Sequence, residues 1–377
     1  MGSVVSPATM KTLAHSVLGK NLGVRRGENV TIETWNATLP WANAFVLEAA
    51  RLGARPMLLF VDEPTYWQEV DDLPASALGR VGSHEWAALR ETDAYVFFYG
   101  PNDVARESAL PQAKFLALSA FEDEWFRIIE KAHVRSARID LGRINASEAR
   151  RFGLDEDDWR KEMIESILVD PDRMHREGSA VGRALQRGKL VRITHSNGTD
   201  LDLRLRGRRP RIHDGVIDAR DVANGEVFEP LPPGWVAVAV DELHAEGDFV
   251  ANVASATAAS GDDIGRMLPS RGGHWTFRDG KLARFSYEAG GDEFAKAYQR
   301  VGRGKERPGA LNIGLNPRIT RIPLMEDQHR GRVTLSIGRN YFLDGVTRTP
   351  HFHAYLVLDG ADVQVDGRVI VRAGEIV

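Results

Sequence analysis

Cysteine is absent from all 377 residues, which excludes disulfides, thiolate zinc sites and a cysteine nucleophile together. Any metal held by this chain must be ligated by histidine, aspartate, glutamate or water. That donor set suits zinc, manganese, cobalt or non-haem iron. Charge of one sign is missing as well: 49 Lys and Arg stand against 53 Asp and Glu, the formal net charge is −4 and the pI is about 6.3. No basic field recommends nucleic acid or an anionic membrane as a partner. The arginine-rich "RLRGRRPR" (204–211) reads as a solvated strand edge or turn. Apolar runs of membrane-spanning length are absent, and "MGSVVSPATMKTLAHSVLG" lacks the basic start and continuous apolar stretch of a signal peptide, so a cytoplasmic location is expected. Hydrophobic residues at 43% against charged residues at 27% mark a folded globular chain.

The length predicts two domains. In the first half, strand-like and helix-like stretches alternate. "ENVTIETW" (28–35) is β-branched, "LPWANAFVLEAARLGA" (39–54) carries apolar residues at helical spacing, and "RPMLLFV" (55–61) reads as a short buried strand. The helix-like "SHEWAALRET" (83–92), the strand-like "DAYVFFYG" (93–100), the helix-like "EDEWFRIIEKAH" (122–133) and the strand-like "SARIDLG" (136–142) continue the pattern. Such alternation implies an α/β domain with a parallel sheet, placed at residues 1–185. No phosphate-binding glycine fingerprint opens any of its helices, which leaves a nucleotide site unsupported.

From "GKLVRITHSNGTDLDLRLRGR" (188–208) onward, alternating strands and Gly, Asn or Asp turns dominate. "SNGTD" (196–200) reads as a hairpin turn, and one helix near 291–302 interrupts the strands. Residues 186–377 are therefore expected to form a β-rich α+β domain that carries the functional site. Its last histidines, His351 and His353 in "TPHFHAYLVL", stand two apart at the entrance to a strand, where both imidazoles would share a face. Both could then converge on one metal ion and leave open positions for water and substrate. The competing reading turns His351 away after Pro350 and leaves His353 hydrogen-bonded to a cavity wall. His274 and His329 read as surface or turn positions, while His213 and His244 lack a spacing that argues for the same cleft.

Several phrases resemble the thermophilic metallo-aminopeptidase family of the aminopeptidase T and aminopeptidase S type. They include "GENVTIETWNATLPWANAFVLEAARLGARPMLL", "NGEVFEP", "GALNIGLNP", "GRVTLSIGRNY" and "HFHAYLVLDGADVQVDGRVIVRAGEIV", in the family's order along nearly the whole chain. The resemblance implies a C-terminal domain holding two metal ions, a homodimer around an enclosed cavity, and a small-molecule or short-peptide substrate. It also implies which residues stand at the family's ligand positions: Glu226 and His353 persist, Ala310, Thr334 and Tyr355 replace three ligands, and Tyr341 matches the active-site tyrosine. Two dications close together need anionic ligands to offset their repulsion, so a cocatalytic pair is not expected unless other side chains have moved in. His351, Glu229, Glu326 and Asp327 are the candidates. The closing phrase also resembles the dihydroxypyridine ring-cleaving dioxygenase of the same fold group, which implies one iron held at the positions of Ala310, His353 and Tyr355.

Three functions follow as expectations. The first is a hydrolase cleaving an amide-type C–N bond, with Glu226 activating water, His353 and His351 holding one divalent metal or none, and Tyr341, Thr334 or Tyr355 in supporting catalytic roles. The second is a mononuclear iron dioxygenase of a hydroxylated nitrogen heteroaromatic. The third is a metal-free enzyme of specialised metabolism, or a ligand-binding homologue without turnover.

Overall fold

The computed structural model describes residues 5–258, 267–323, 325–349 and 352–377. The chain divides into two compact units, Met1–Leu168 with Gly215–Pro233, and Val169–Asp214 with Gly234–Val377. The sequence suggests one crossing near residue 185. In the structure the helix Pro171–Arg187 belongs with the second unit, and the segment 215–233 returns to the first.

The first unit is α/β. Strands are numbered in chain order. The described residues of its sheet form β1 (Asn29–Trp35), β2 (Arg55–Val61), β3 (Ala94–Phe98), β4 (Arg135–Ile139) and β8 (Phe228–Leu231), in the order β2-β1-β3-β4-β8. All four pairings are parallel. β8 is the reason segment 215–233 returns, because it extends the sheet beside β4, with Ser136 opposite Phe228. Pro230 is tolerated there because β8 is an edge strand, which has one side free of ladder bonds. The helix Leu39–Arg51 follows the apolar periodicity of its sequence, with Pro40 in its first turn and Trp41, Phe45 and Ala49 buried. The expectation of a buried strand at 55–61 is corrected: β2 is the other edge, and Met57, Leu58 and Phe60 are exposed. A continuous apolar run does not by itself say whether a strand is central or at an edge.

The second unit is β-rich and mostly antiparallel. One sheet orders β14 (Lys281–Ser286), β13 (His274–Arg278), β10 (Ala245–Val250), β6 (Asp200–Arg204), β5 (Leu190–Thr194), β18 (Asp362–Val365), β19 (Arg368–Arg372) and β20 (Glu375–Ile376). The other orders β12 (Met267–Ser270), β11 (Ser255–Ala258), β17 (His353–Leu358), β16 (Val333–Gly338), β15 (Pro308–Gly314), β9 (Trp235–Ala239) and β7 (Arg211–His213). The "SNGTD" turn lies between β5 and β6 as the sequence suggests, and Thr194 pairs with Asp200.

Alternation assigns the faces of the second sheet. Val236, Val238, Leu311, Ile313, Val333, Leu335, Ile337, Leu356 and Leu358 all join one buried core with Val191, Leu201, Phe249, Trp275 and Phe277 of the first sheet. Residues between them on β9, β15, β16 and β17 must therefore point to the opposite face. That opposite face carries the positions of chemical interest.

Candidate functional site

On the face of β9, β15, β16 and β17 turned away from the core, cross-strand register brings small and polar residues together. Ala237, Asn312, Thr334 and Val357 form one row: Ala237 pairs with Asn312, Asn312 with Thr334, and Thr334 with Val357. Ala239 pairs with Ala310, the Ala310 amide donates to Ser336 Oγ at 2.8 Å, and Ser336 pairs with Tyr355. His353, two residues before Tyr355 and on the same face, lies opposite Gly338, with the His353 and Tyr355 ring centroids 6.1 Å apart. Four positions singled out from the sequence, Ala310, Thr334, His353 and Tyr355, thus share one face of three adjacent strands.

Alanines form the floor. Ala237, Ala239 and Ala310 make a small apolar cluster with Leu343, and Trp235 packs against it. Trp235 carries His213 stacked on it, ring centroids 4.1 Å apart, so His213 belongs to this face. Leu343 ends the turn Tyr341–Leu343, and Tyr341 itself is exposed, with the Arg348 guanidinium 5.6 Å above its ring. The turn is held from below. Asn340, fully buried, donates to Glu242 Oε1 at 2.8 Å and to the Gly309 carbonyl at 3.0 Å, and its own carbonyl oxygen accepts from the Thr347 amide. Arg208 meets both oxygens of Glu242 at 2.8 Å. Burial pushes the Glu242 carboxyl up, but the Arg208 pair and the bonds from Val346 and Asn340 outweigh it, and the acid ends below its ordinary value.

On this face Thr334 Oγ1 and Asn312 Oδ1 are buried without a hydrogen-bond partner among the described residues. Buried polar atoms are nearly always paired, so two orphans on directly opposed residues mark a place built for something other than packing. Asn312 also hydrogen-bonds the side chain of Asp327. Asp327 lies in the turn Glu326–Gln328, which is pressed onto β15 at Gly314. A Cβ at Gly314 would stand 2.0 Å from the His329 carbonyl oxygen and 2.8 Å from that of Asp327, so only glycine permits this approach. Burial raises the Asp327 acid to about 6, against the lowering pull of hydrogen bonds from its own backbone amide and from Asn312 and of the Arg332 charge. Arg332 is also engaged by Asp359 at 3.1 Å and by the Glu326 carbonyl at 2.9 Å. Burial, together with the Arg339 charge, lowers the His353 imidazole to about 4, so it is neutral at ordinary pH.

Glu226 belongs to the first unit, just before β8, with its amide bonded to the Asp221 carbonyl; Glu229 lies on β8 itself. His351 lies outside the described residues. His244 pairs with Asp241 at 2.8 Å, His274 with Asp248 at 2.8 Å, and His329 bonds the Ile319 carbonyl. Among the described residues no three His, Asp or Glu side chains group as metal ligands. On the face itself Ala310 offers no donor, Thr334 and Tyr355 are neutral, and His353 is held near a guanidinium. This donor set does not fit a pair of divalent ions. Asn312, Trp235 and the roles of Asp327 and His213 are what sequence spacing alone does not reveal. They become visible only through the register of four strands.

No family model matches the chain, and no curated protein matches its sequence. Solved structures do match. AmpT from Thermus thermophilus superposes with a TM-score of 0.71 at 16% identity, covering 98% of this chain and 99% of its own. The 2,5-dihydroxypyridine dioxygenase from Pseudomonas putida KT2440 gives 0.62 at 15% identity, covering 99% and 98%. The chain thus has the aminopeptidase-like fold, an α/β unit followed by a β-rich unit. At such identity the likeness defines architecture, and that architecture is compatible with either chemistry. No helix among the described residues is long and apolar enough to cross a membrane.

Proposed function

We propose that the chain is a hydrolase of an amide-type C–N bond in a small peptide or metabolite, acting at the outward face of β15, β16 and β17. The observation that carries this reading is the pairing of Thr334 with Asn312, both with orphaned buried oxygens, beside the carboxyl of Asp327. In this reading Asp327 takes the proton of the attacking water and passes it to the leaving nitrogen as the C–N bond breaks, and its raised pKa of about 6 suits a base working near neutrality. The Thr334 hydroxyl and the Tyr355 phenol donate to the developing oxyanion, while Asn312 fixes the orientation of the Asp327 carboxylate. The alanine floor and the Trp235–His213 stack give the substrate an apolar seat. Glu226, in the first unit, is the water-activating residue that the family resemblance implies, and a Glu226→Gln variant tests that role separately from Asp327. The iron site implied by the second resemblance would need a ligand at Ala310, which has no donor atom, so ring cleavage is not favoured.

A panel of aminoacyl anilides and amides assayed with and without chelator tests the reading. Hydrolysis that survives chelation is expected. Turnover that disappears with chelator and returns with one divalent ion would overturn the metal-free form, and oxygen uptake on a dihydroxypyridine with ferrous iron would overturn the hydrolytic class itself.

A further inference from the structure

The first unit contains a cavity of about 400 Å³ that the proposed hydrolysis does not use. Its strand order β2-β1-β3-β4-β8 reverses direction between β1 and β3, and Glu33, Trp35, Phe97 and Tyr99 at the carboxyl ends of those two strands line the cavity. Open α/β sheets hold ligands at this reversal point. The turn after β1, Asn36–Thr38, contains no glycine, so the backbone cradle that a phosphate requires is missing from it.

The walls are aromatic. Phe97, Trp125 and Phe228 stand with ring centroids 5.6 to 6.2 Å apart and expose their faces and edges to a common space. Register places Glu33 opposite Phe97 and Phe97 opposite Arg138, so carboxylate, ring and guanidinium form one row across the sheet. The charges are unequally matched. Arg138 is paired with Asp140 at 2.9 Å, and Glu107 with Arg143 at 2.6 Å. Glu33 accepts a hydrogen bond from the Tyr95 hydroxyl and has no ion-pair partner among the described residues. Burial, with a smaller push from the Glu85 carboxylate, raises its acid above the ordinary value against the Tyr95 bond. A carboxyl left without a cation inside an aromatic box is the complement of a positively charged ligand, because ring faces are negative and attract cations.

We propose that this cavity is a second ligand site, taking a small organic monocation, an ammonium group on an apolar body, with Glu33 as its counter-charge and Phe97, Trp125 and Phe228 as its walls. The volume suits a ligand of that size. A neutral ligand of equal shape would gain the apolar contact but leave Glu33 without a partner.

Choline and 3,3-dimethylbutan-1-ol differ only by a positive nitrogen in place of carbon, and calorimetric titration of the full-length protein with both separates charge from shape. Choline is expected to saturate in the millimolar range or tighter, and the alcohol to bind about tenfold more weakly. Glu33→Gln, whose amide oxygen still accepts from Tyr95, should lower choline affinity about tenfold and leave the alcohol unchanged. Choline affinity should rise with pH as Glu33 ionises; Tyr95 and Glu85 act on it directly, and Tyr66, Tyr99, Glu107, Glu122 and Arg138 are the other titratable or charged groups lining the cavity. Equal affinity for the two probes, no saturation by choline, or a Glu33→Gln variant that folds and binds choline like wild type would each overturn the proposal. A Trp125→Leu variant supplies a second check, since it keeps the charge and should lose choline binding through its wall. None of these readouts depends on hydrolysis, so the two assignments stand or fall separately.

Discussion

Asp327→Asn should lower the hydrolysis of an aminoacyl amide by about 10²–10⁴-fold, the range typical of a lost general base. The amide keeps the shape and the contact with Asn312 but cannot accept the water's proton. Wild-type turnover should rise with pH through about 6, where the Asp327 acid ionises, and the variant should lack that limb. Stability should move in the opposite sense. The folded-state value is above the ordinary 3.8, so folding favours the protonated acid, and the wild type should lose stability as pH rises from about 4 to about 6. The variant should not show that loss, so its stability relative to wild type should improve over the same window by roughly 1–2 kcal/mol. Denaturant unfolding at several pH values measures this independently of activity. An Asp327→Asn protein that retains full turnover would remove Asp327 from the site.

Arg208→Ala should destabilise the protein by about 3 kcal/mol, because it leaves the buried Glu242 carboxylate without its cation. Glu242 is 4% exposed and Arg208 10% exposed, so neither charge is well hydrated. The loss should propagate to the site, since Glu242 anchors Asn340 and the Val346 amide, and these hold the turn that seats Leu343 on the alanine floor. Replacing both members, Arg208→Met with Glu242→Gln, should recover much of the stability by removing the unpaired charge. A single Arg208→Ala change costing less than about 1 kcal/mol in denaturant unfolding would show the pair to be peripheral.

Local patterns carried the architecture well. The helix Leu39–Arg51, β1, β3 and the β5–β6 hairpin follow from periodicity and turn chemistry, which act within a few residues. The division into units was less legible. β8 is four residues long with a proline inside, and what draws it to the first unit is pairing with β4, some ninety residues earlier, a contact no local pattern encodes. The exposure of β2 was hidden for the same reason, since edge or centre is decided by which strands lie alongside. At the site, alternation around Thr334 places its hydroxyl away from the core. The neighbours that give Thr334 meaning, Asn312 across the ladder and Asp327 in a turn pressed onto Gly314, come from register and from close approach. His274 and His329, read from the sequence as surface or turn positions, are engaged by a carboxylate and a carbonyl, His244 is engaged by a carboxylate, and His213, for which spacing offered no argument, is stacked on Trp235.

The central claim is that the outward face of β15, β16 and β17 receives an amide substrate. Crystals soaked with a non-hydrolysable aminoacyl amide analogue test it most directly. The account predicts the analogue's carbonyl oxygen within hydrogen-bond distance of Thr334 or Tyr355, with Asp327 turned toward the carbonyl carbon. An analogue bound at any other surface, or at this face only through a divalent ion on His353, would contradict it.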